Sequence, residues 1–160
     1  MLPEEREGLT LAVDGKTVRS TDGKKGYRQP LHIISAQLSE LGVTLASKSV
    51  EGKSNEIPAV QELLQQMDIK GCLVVADALN CQRETAKVIV SGKGDYLLSV
   101  KENQPSLMQD IRDYVQDDAL RGGMSAQSIR EKSRDRIEKR TAFVTQDIEW
   151  LPQKSQWDHL

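Results

Sequence analysis

The sequence predicts an α/β protein whose core is a mixed, five-stranded sheet. Five apolar runs have the length of strands, and the later runs are separated by stretches with helical apolar spacing. The first three runs are joined by short polar links, which favour antiparallel strands, whereas helical links favour parallel ones. The 160 residues suffice for one core-bearing domain with a tail or an insertion.

The first three strands are predicted to form an antiparallel meander. Leu9–Asp14 alternates large apolar residues with small or polar ones, as a half-buried strand does. Leu31–Leu38 and Val43–Val50 follow as the second and third strands. A turn-rich link, Thr21–Gly26, precedes the second strand and a tight turn at Gly42 precedes the third, so both connections favour neighbouring strands.

Helices and strands then alternate. A helix containing Ile57–Met67 has apolar residues at helical spacing and is capped by Ser54 or Asn55. Cys72–Ala76 is apolar at every position, which predicts a central strand covered on both faces. Asn80 is predicted to cap the next helix.

The fifth strand is Asp95–Lys101, and Pro105 begins a third helix. The order βββ-α-β-α-β-α with right-handed crossovers gives a ribonuclease H-like arrangement, in which the first and fourth strands are central neighbours. We expect a lead at residues 1–8, a core at 9–118, and a basic insertion or extra segment at 119–160 that includes a strand at Ile137–Val144. Both ends indicate a piece of a longer protein.

Two aspartates end apolar runs on strands that should be adjacent. Asp14 follows the first run and Asp77 follows the fourth. An acid at the tip of a buried strand is costly unless a cation or a proton compensates it. Taken singly, Asp14 is a turn residue in Asp-Gly and Asp77 a capping acid. Taken together they predict half of a divalent-metal site, as in enzymes that cut and join nucleic acid.

Basic residues form two local groups, although the net charge of -2 gives no overall sign of nucleic-acid affinity. The first group follows Asp14. Its residues either contact phosphates near the site or belong to a solvated loop, and they are Lys16, Arg19, Lys24, Lys25 and Arg28. The later stretch could follow a DNA backbone, or its interleaved acids could make it a salt-bridged surface. Its cations are Arg130, Lys132, Arg134, Arg136, Lys139 and Arg140.

Other classes of protein are disfavoured. Two cysteines do not make a disulfide framework, so a reducing cytoplasm is expected, and no apolar run is long enough for a membrane span. Zinc-ligand spacing, a Gly-rich phosphate loop and a nucleophile elbow are absent from the sequence. His32 is expected to be a packed, neutral histidine.

Several short stretches, in order, resemble the H-repeat-associated insertion-sequence transposases, a branch of the DDE transposases. They are Val13–Arg19, Leu31–Ala36, Lys53–Ile57, Ile69–Cys72, Asp77–Gln82, Gly94–Tyr96, Lys101–Gln104 and Glu131–Glu138. Glu102 departs from the family, which usually has glycine there.

The resemblance implies a ribonuclease H-like fold and a DDE triad in which Asp14 and Asp77 are the first two acids and metal ligands. It places the third, a glutamate, beyond the end of this chain. It further implies Mg²⁺ or Mn²⁺ as cofactor, two-metal phosphoryl transfer, and transposon-end DNA as partner. A missing C-terminal helix would expose an apolar patch near the fourth and fifth strands, so we also expect self-association as a homodimer. The expected function is DNA transposition by an incomplete core that is inactive alone.

Two alternatives remain open. The chain could be a non-catalytic DNA-binding or self-associating remnant of a transposase, or a doubly wound enzyme with Asp77 as phosphate acceptor. An antiparallel meander before the first helix would argue against the doubly wound sheet.

Overall fold

A computed structural model of the protein describes residues 8–21, 30–51, 55–133 and 136–160. The chain divides into two compact units. The first extends to Asn103 and includes Gln156–His159, and the second is Gln104–Ser155 with Leu160. The predicted boundaries at residues 8 and 118 stay predictions. Among the described helices, none is long and apolar enough to cross a membrane.

The first unit contains a mixed five-stranded sheet in the order β3-β2-β1-β4-β5. The strands are β1 (Thr10–Val18), β2 (Leu31–Leu38), β3 (Val43–Glu51), β4 (Leu73–Ala76) and β5 (Asp95–Leu98). β1, β2 and β3 pair antiparallel, whereas β4 runs parallel to both β1 and β5. The meander and the central β1–β4 pair confirm the predicted fold class and are inconsistent with a fully parallel doubly wound sheet.

Two helices of the first unit contribute to its core, α1 (Glu56–Gln65) and α2 (Arg83–Ser91). Alternate residues of β1, β2 and β4 supply the buried face of the sheet. The helices supply apolar residues to the same cluster, and the largest fully buried side chains include Leu11, Ile34, Leu64 and Ile89. Burying an apolar side chain of this size contributes about 1.5–3 kcal/mol, so this cluster is the main source of stability in the unit.

Four local predictions are wrong. β5 ends at Leu98 and does not continue to Lys101. β1 continues through Asp14 to Val18 because β2 pairs with it along that whole length. β4 alternates between buried and half-buried residues and is not covered equally on both faces. The N-cap of α2 is Gln82, because residues Ala78–Asn80 form a 3-10 turn before the helix begins. Asn55 occupies the N-cap of α1 without a side-chain cap hydrogen bond, and Ser54 lies outside the described residues.

The second unit contains α3 (Pro105–Gln116), the short α4 (Asp118–Arg121) and a hairpin of β6 (Ser125–Ser133) and β7 (Arg136–Val144). The sequence predicts α3 and β7 but not β6. Within this unit the rings of Tyr114 and Trp150 stack with centroids 4.1 Å apart.

Candidate functional site

The two aspartates lie side by side where β1 and β4 stop pairing. The parallel register places Val13 opposite Ala76, so Asp14 and Asp77 are the next residues along the two chains. Val13 and Ala76 are buried, whereas both aspartates are exposed. Because successive side chains in a strand point to opposite faces, the Asp14 carboxylate belongs to the face of β1 opposite the buried Val13. Asp77 follows the last residue of β4 and begins the 3-10 turn Ala78–Asn80. The structure therefore places each of the two predicted acids directly after a paired residue of two adjacent strands.

The Asp77 carboxylate uses one of its oxygens in a local turn. Oδ1 accepts hydrogen bonds from the backbone N–H groups of Leu79, at 3.1 Å, and Asn80, at 3.4 Å. It also accepts from the side-chain amide of Asn80 at 3.2 Å. Asp77 thus caps the 3-10 turn, as its capping interpretation predicts. Oδ2 accepts no hydrogen bond from the part of the chain that the structure describes, so this oxygen is available to a ligand.

Asp14 is not a turn residue. It lies in the middle of β1 and pairs across the sheet with Ser35 of β2. The next residue is glycine for a steric reason and not because it forms a turn. A Cβ at Gly15 would lie 2.6 Å from His32 Nε2 and 2.7 Å from Glu56 Cδ. Those two side chains occupy the space that any larger residue would fill.

His32 and Glu56 form a buried pair beneath Gly15. His32 Nε2 lies 2.7 Å from Glu56 Oε2, and the two residues are 2% and 3% exposed. The other ring nitrogen, Nδ1, lies 3.0 Å from Thr17 Oγ1. Asn80, which is 1% exposed, donates to Glu56 Oε1 at 3.4 Å. A polar network therefore reaches from the core to Asp77 through the Asn80 amide nitrogen, while the buried oxygen of the same amide accepts no hydrogen bond from the described residues.

Replacing Gly15 by alanine should destabilise the protein by about 1–3 kcal/mol, because the added methyl group must displace the His32–Glu56 pair. Urea unfolding of both proteins measures the change. Gly122→Ala is the control, since a Cβ there would meet nothing closer than 3.5 Å. An unchanged unfolding midpoint for Gly15→Ala would contradict the packing described above.

Cys81 is unsuited to nucleophilic chemistry. It precedes α2 and is buried, and burial raises the pKa of its thiol. A neutral thiol at pH 7 is a weak nucleophile.

The turn after Asp77 is also held by Asn103. The side-chain amide of Asn103 donates to the Ala78 carbonyl and so connects this turn to the segment that follows β5.

The basic residues near Asp14 are only partly described. Lys16 is exposed and lies two residues beyond Asp14 in β1, so it belongs to the same face of the sheet. Arg19 is exposed in the 3-10 turn Arg19–Thr21 that follows. Lys24, Lys25 and Arg28 lie outside the described residues.

The hairpin of the second unit separates its charges by face. Arg130 pairs across the strands with Lys139, and Lys132 pairs with Ile137, which places three exposed cations on one face. We call Arg130, Lys132 and Lys139 the basic face.

The opposite face of the hairpin is close to neutral among its described side chains. Glu131 pairs with Glu138 across the strands. The Arg140 guanidinium lies 3.7 Å from Oε2 of Glu131 and 2.9 Å from Oε2 of Glu138. Arg140 is thus the salt-bridged exception within the predicted DNA-binding group. For Arg136 only the backbone is described, and Arg134 lies outside the described residues.

The donor set at the sheet suits a hard divalent cation, since carboxylate oxygens are the ligands such ions take. It is incomplete, however: within residues 8–21, 30–51, 55–133 and 136–160 no cluster of three or more His, Cys, Asp or Glu side chains could hold a metal. Glu56 does not supply the third ligand, because both of its oxygens are engaged and it is buried.

Glu56, Asn80 and Asn103 also belong to this site, although the sequence does not predict them there. One feature of the sequence indicates the role of Glu56. It begins the buried stripe of α1, whose other members are Ala59, Val60, Leu63 and Leu64. A glutamate in an otherwise apolar stripe requires a buried partner.

Comparison with known proteins identifies the family. The chain is 38% identical over 151 residues to the "Uncharacterized protein in dhlA 3'region" of Xanthobacter autotrophicus, covering 94% of this chain and 50% of that protein. It is 43% identical over 104 residues to the "Putative transposase YncI" of Escherichia coli O157:H7, covering 65% and 27%. It is 35% identical over 135 residues to the "H repeat-associated putative transposase YbfD" of Escherichia coli (strain K12), covering 84% and 53%.

The chain spans about half or less of the length of these relatives. The family model described as "Transposase DDE domain" matches residues 5–158. The chain therefore belongs to the transposase DDE domain family, whose members act in DNA transposition and generally use divalent metal ions.

Proposed function

We propose that Asp14 and Asp77 are two carboxylates of a DDE active site, and that the chain contributes part of a transposase core for metal-dependent phosphoryl transfer. One observation carries the proposal: two exposed carboxylates each come directly after one of two paired residues of adjacent parallel strands. The uncommitted Oδ2 of Asp77 supports it. An acid kept only as a cap would not require a second acid beside it.

Asp14 and Asp77 would hold Mg²⁺ or Mn²⁺. When bound, the ions activate the attacking water or 3′-hydroxyl and stabilise the leaving oxygen of an in-line displacement. The protein's own contribution is to fix two oxygen donors on rigid central strands, which reduces the entropy lost on binding. Lys16, on the same face, would contact a phosphate of the DNA.

The two acids alone make a weak centre. A third carboxylate would normally complete the ligand set, and the described part of the chain holds no cluster of three or more such side chains that could bind a metal. We therefore propose that the chain binds the cation weakly and does not complete strand transfer without that acid.

DNA binding without cleavage is the second candidate function. The basic face of the hairpin supports it, because three cations without an intervening acid can follow a phosphate backbone. Retained DNA affinity in a chain that binds no divalent cation would favour this alternative.

Titration with Mn²⁺, followed by electron paramagnetic resonance, tests the metal proposal. Asp14→Asn and Asp77→Asn should each raise the dissociation constant about tenfold or more, which corresponds to at least about 1.4 kcal/mol. Asp95→Asn is the matched control, since Asp95 is exposed in β5 opposite Leu73 on the same face but at the other end of the strands. Unchanged binding in both site variants would exclude the metal centre.

A further inference from the structure

We infer that Asn80 is a positioning residue for Asp77, and that Glu56 acts through Asn80. The inference rests on the proposed metal centre, in which the orientation of Asp77 matters. Asp77 is exposed, and an exposed carboxylate on a turn would sample several rotamers unless something held it. The side-chain amide of Asn80 is the link between this carboxylate and the buried core.

The orientation of the Asn80 amide is determined by its two neighbours. Nδ2 lies 3.2 Å from Asp77 Oδ1 and 3.4 Å from Glu56 Oε1. An amide group has two N–H hydrogens, so it can donate one to each carboxylate. The reverse orientation would place the amide oxygen against two acceptor oxygens, which is unfavourable. The same amide therefore binds both acids.

Glu56 is held from its other side. Its Oε2 accepts a hydrogen bond from His32 Nε2 at 2.7 Å, and both residues are buried in the first unit. His32 lies in β2 and Glu56 begins α1, so the anchor for Asn80 is built from two elements of the core. A carboxylate fixed in this way gives Asn80 one preferred position.

The consequence is a directed carboxylate at Asp77. With three donors on Oδ1, the lone pairs of Oδ2 remain for a cation. Residues behind a metal ligand commonly set its orientation, and their loss costs about 10–100-fold in metal affinity. The two backbone N–H groups survive in an Asn80 variant, so we expect the lower end of that range.

The test compares Asn80→Ala with Thr85→Val in the full chain. Thr85 is fully buried and accepts a hydrogen bond from Gln61 at 3.1 Å, so its loss also breaks a buried polar contact, but one that does not reach Asp77. The first readout is the χ1 rotamer distribution of Asp77, from three-bond NMR couplings to Cγ. The second is the Mn²⁺ dissociation constant.

We expect one dominant rotamer in the wild-type protein and in Thr85→Val. In Asn80→Ala we expect a lower population of that rotamer, because only the two backbone donors remain, and Mn²⁺ bound about tenfold more weakly. Glu56→Gln should retain the single rotamer, because a glutamine oxygen can still accept from Asn80. The glutamine amide can donate to His32 Nε2 when the ring proton moves to Nδ1, where Thr17 Oγ1 accepts it. An unchanged rotamer in Asn80→Ala, or equal weakening in Thr85→Val, would overturn the inference.

Two further outcomes are distinguishable. If the wild-type protein binds no Mn²⁺ but the Asp77 rotamer still responds to Asn80→Ala, the metal proposal fails and the positioning role is supported. If Asn80→Ala does not fold, hydrogen exchange of the Asn80 side-chain amide in the wild-type protein decides. Slow exchange supports the role, and exchange at the rate of a free amide overturns it.

Discussion

Glu56→Ala should lower the free energy of unfolding by about 1–3 kcal/mol for each of two buried donors, on His32 and Asn80, that it leaves without an acceptor. His32 and Glu56 are almost fully buried, and Asn80 would also lose its acceptor. Since small domains are stable by only about 5–15 kcal/mol, this loss is a large part of the total. Urea unfolding monitored by circular dichroism measures it.

A second glutamate of the same helix provides the control. Glu62 of α1 forms a partly exposed ion pair with Lys48 of β3, and that pair is screened by solvent. Glu62→Ala should therefore have a much smaller effect than Glu56→Ala. Equal losses in the two variants would show that the buried network contributes no more to stability than a surface pair does.

Removing the basic face of the hairpin should weaken binding to duplex DNA on the order of 100-fold at low salt. Each phosphate contact that is lost reduces the slope of log K against log salt by about 0.9, so Arg130→Gln, Lys132→Gln and Lys139→Gln combined should reduce it by up to about 2.7. Fluorescence anisotropy of a labelled duplex, repeated across salt concentrations, measures both the dissociation constant and the salt slope.

Two adjacent residues of β7 make a matched comparison. Lys139→Gln and Arg140→Gln remove the same charge, but Lys139 lies on the basic face and Arg140 on the face where it pairs with two glutamates. Only Lys139→Gln should lower the salt slope, by about 0.9. Equal slopes for the two variants would mean that the separation of charges by face has no role in DNA binding.

Much of the fold was predictable because it depends on local patterns. Short polar links determined the antiparallel meander, and helical spacing between apolar runs determined the parallel additions, which together place β1 beside β4. The closeness of Asp14 and Asp77 follows from that strand order and from the register, in which each comes one residue after a paired position.

The remaining features depend on distant partners. Gly15 looks like half of an Asp-Gly turn, but its small size is required by His32 and Glu56, which come from other elements. β6 has few apolar residues and no clear alternation, so its strand conformation depends on pairing with β7. The role of Asn80 is equally hidden, because its acceptor Glu56 lies 24 residues away.

Crystals soaked in Mn²⁺ and measured near the manganese absorption edge test the central claim most directly. We expect an anomalous peak between β1 and β4, bonded to a carboxylate oxygen of Asp14 and to Oδ2 of Asp77 at about 2.1 Å, close to the distances of Mg²⁺ ligands. A peak elsewhere on the sheet, or no peak at a concentration that saturates binding in solution, would contradict the assignment of these two residues as a metal centre.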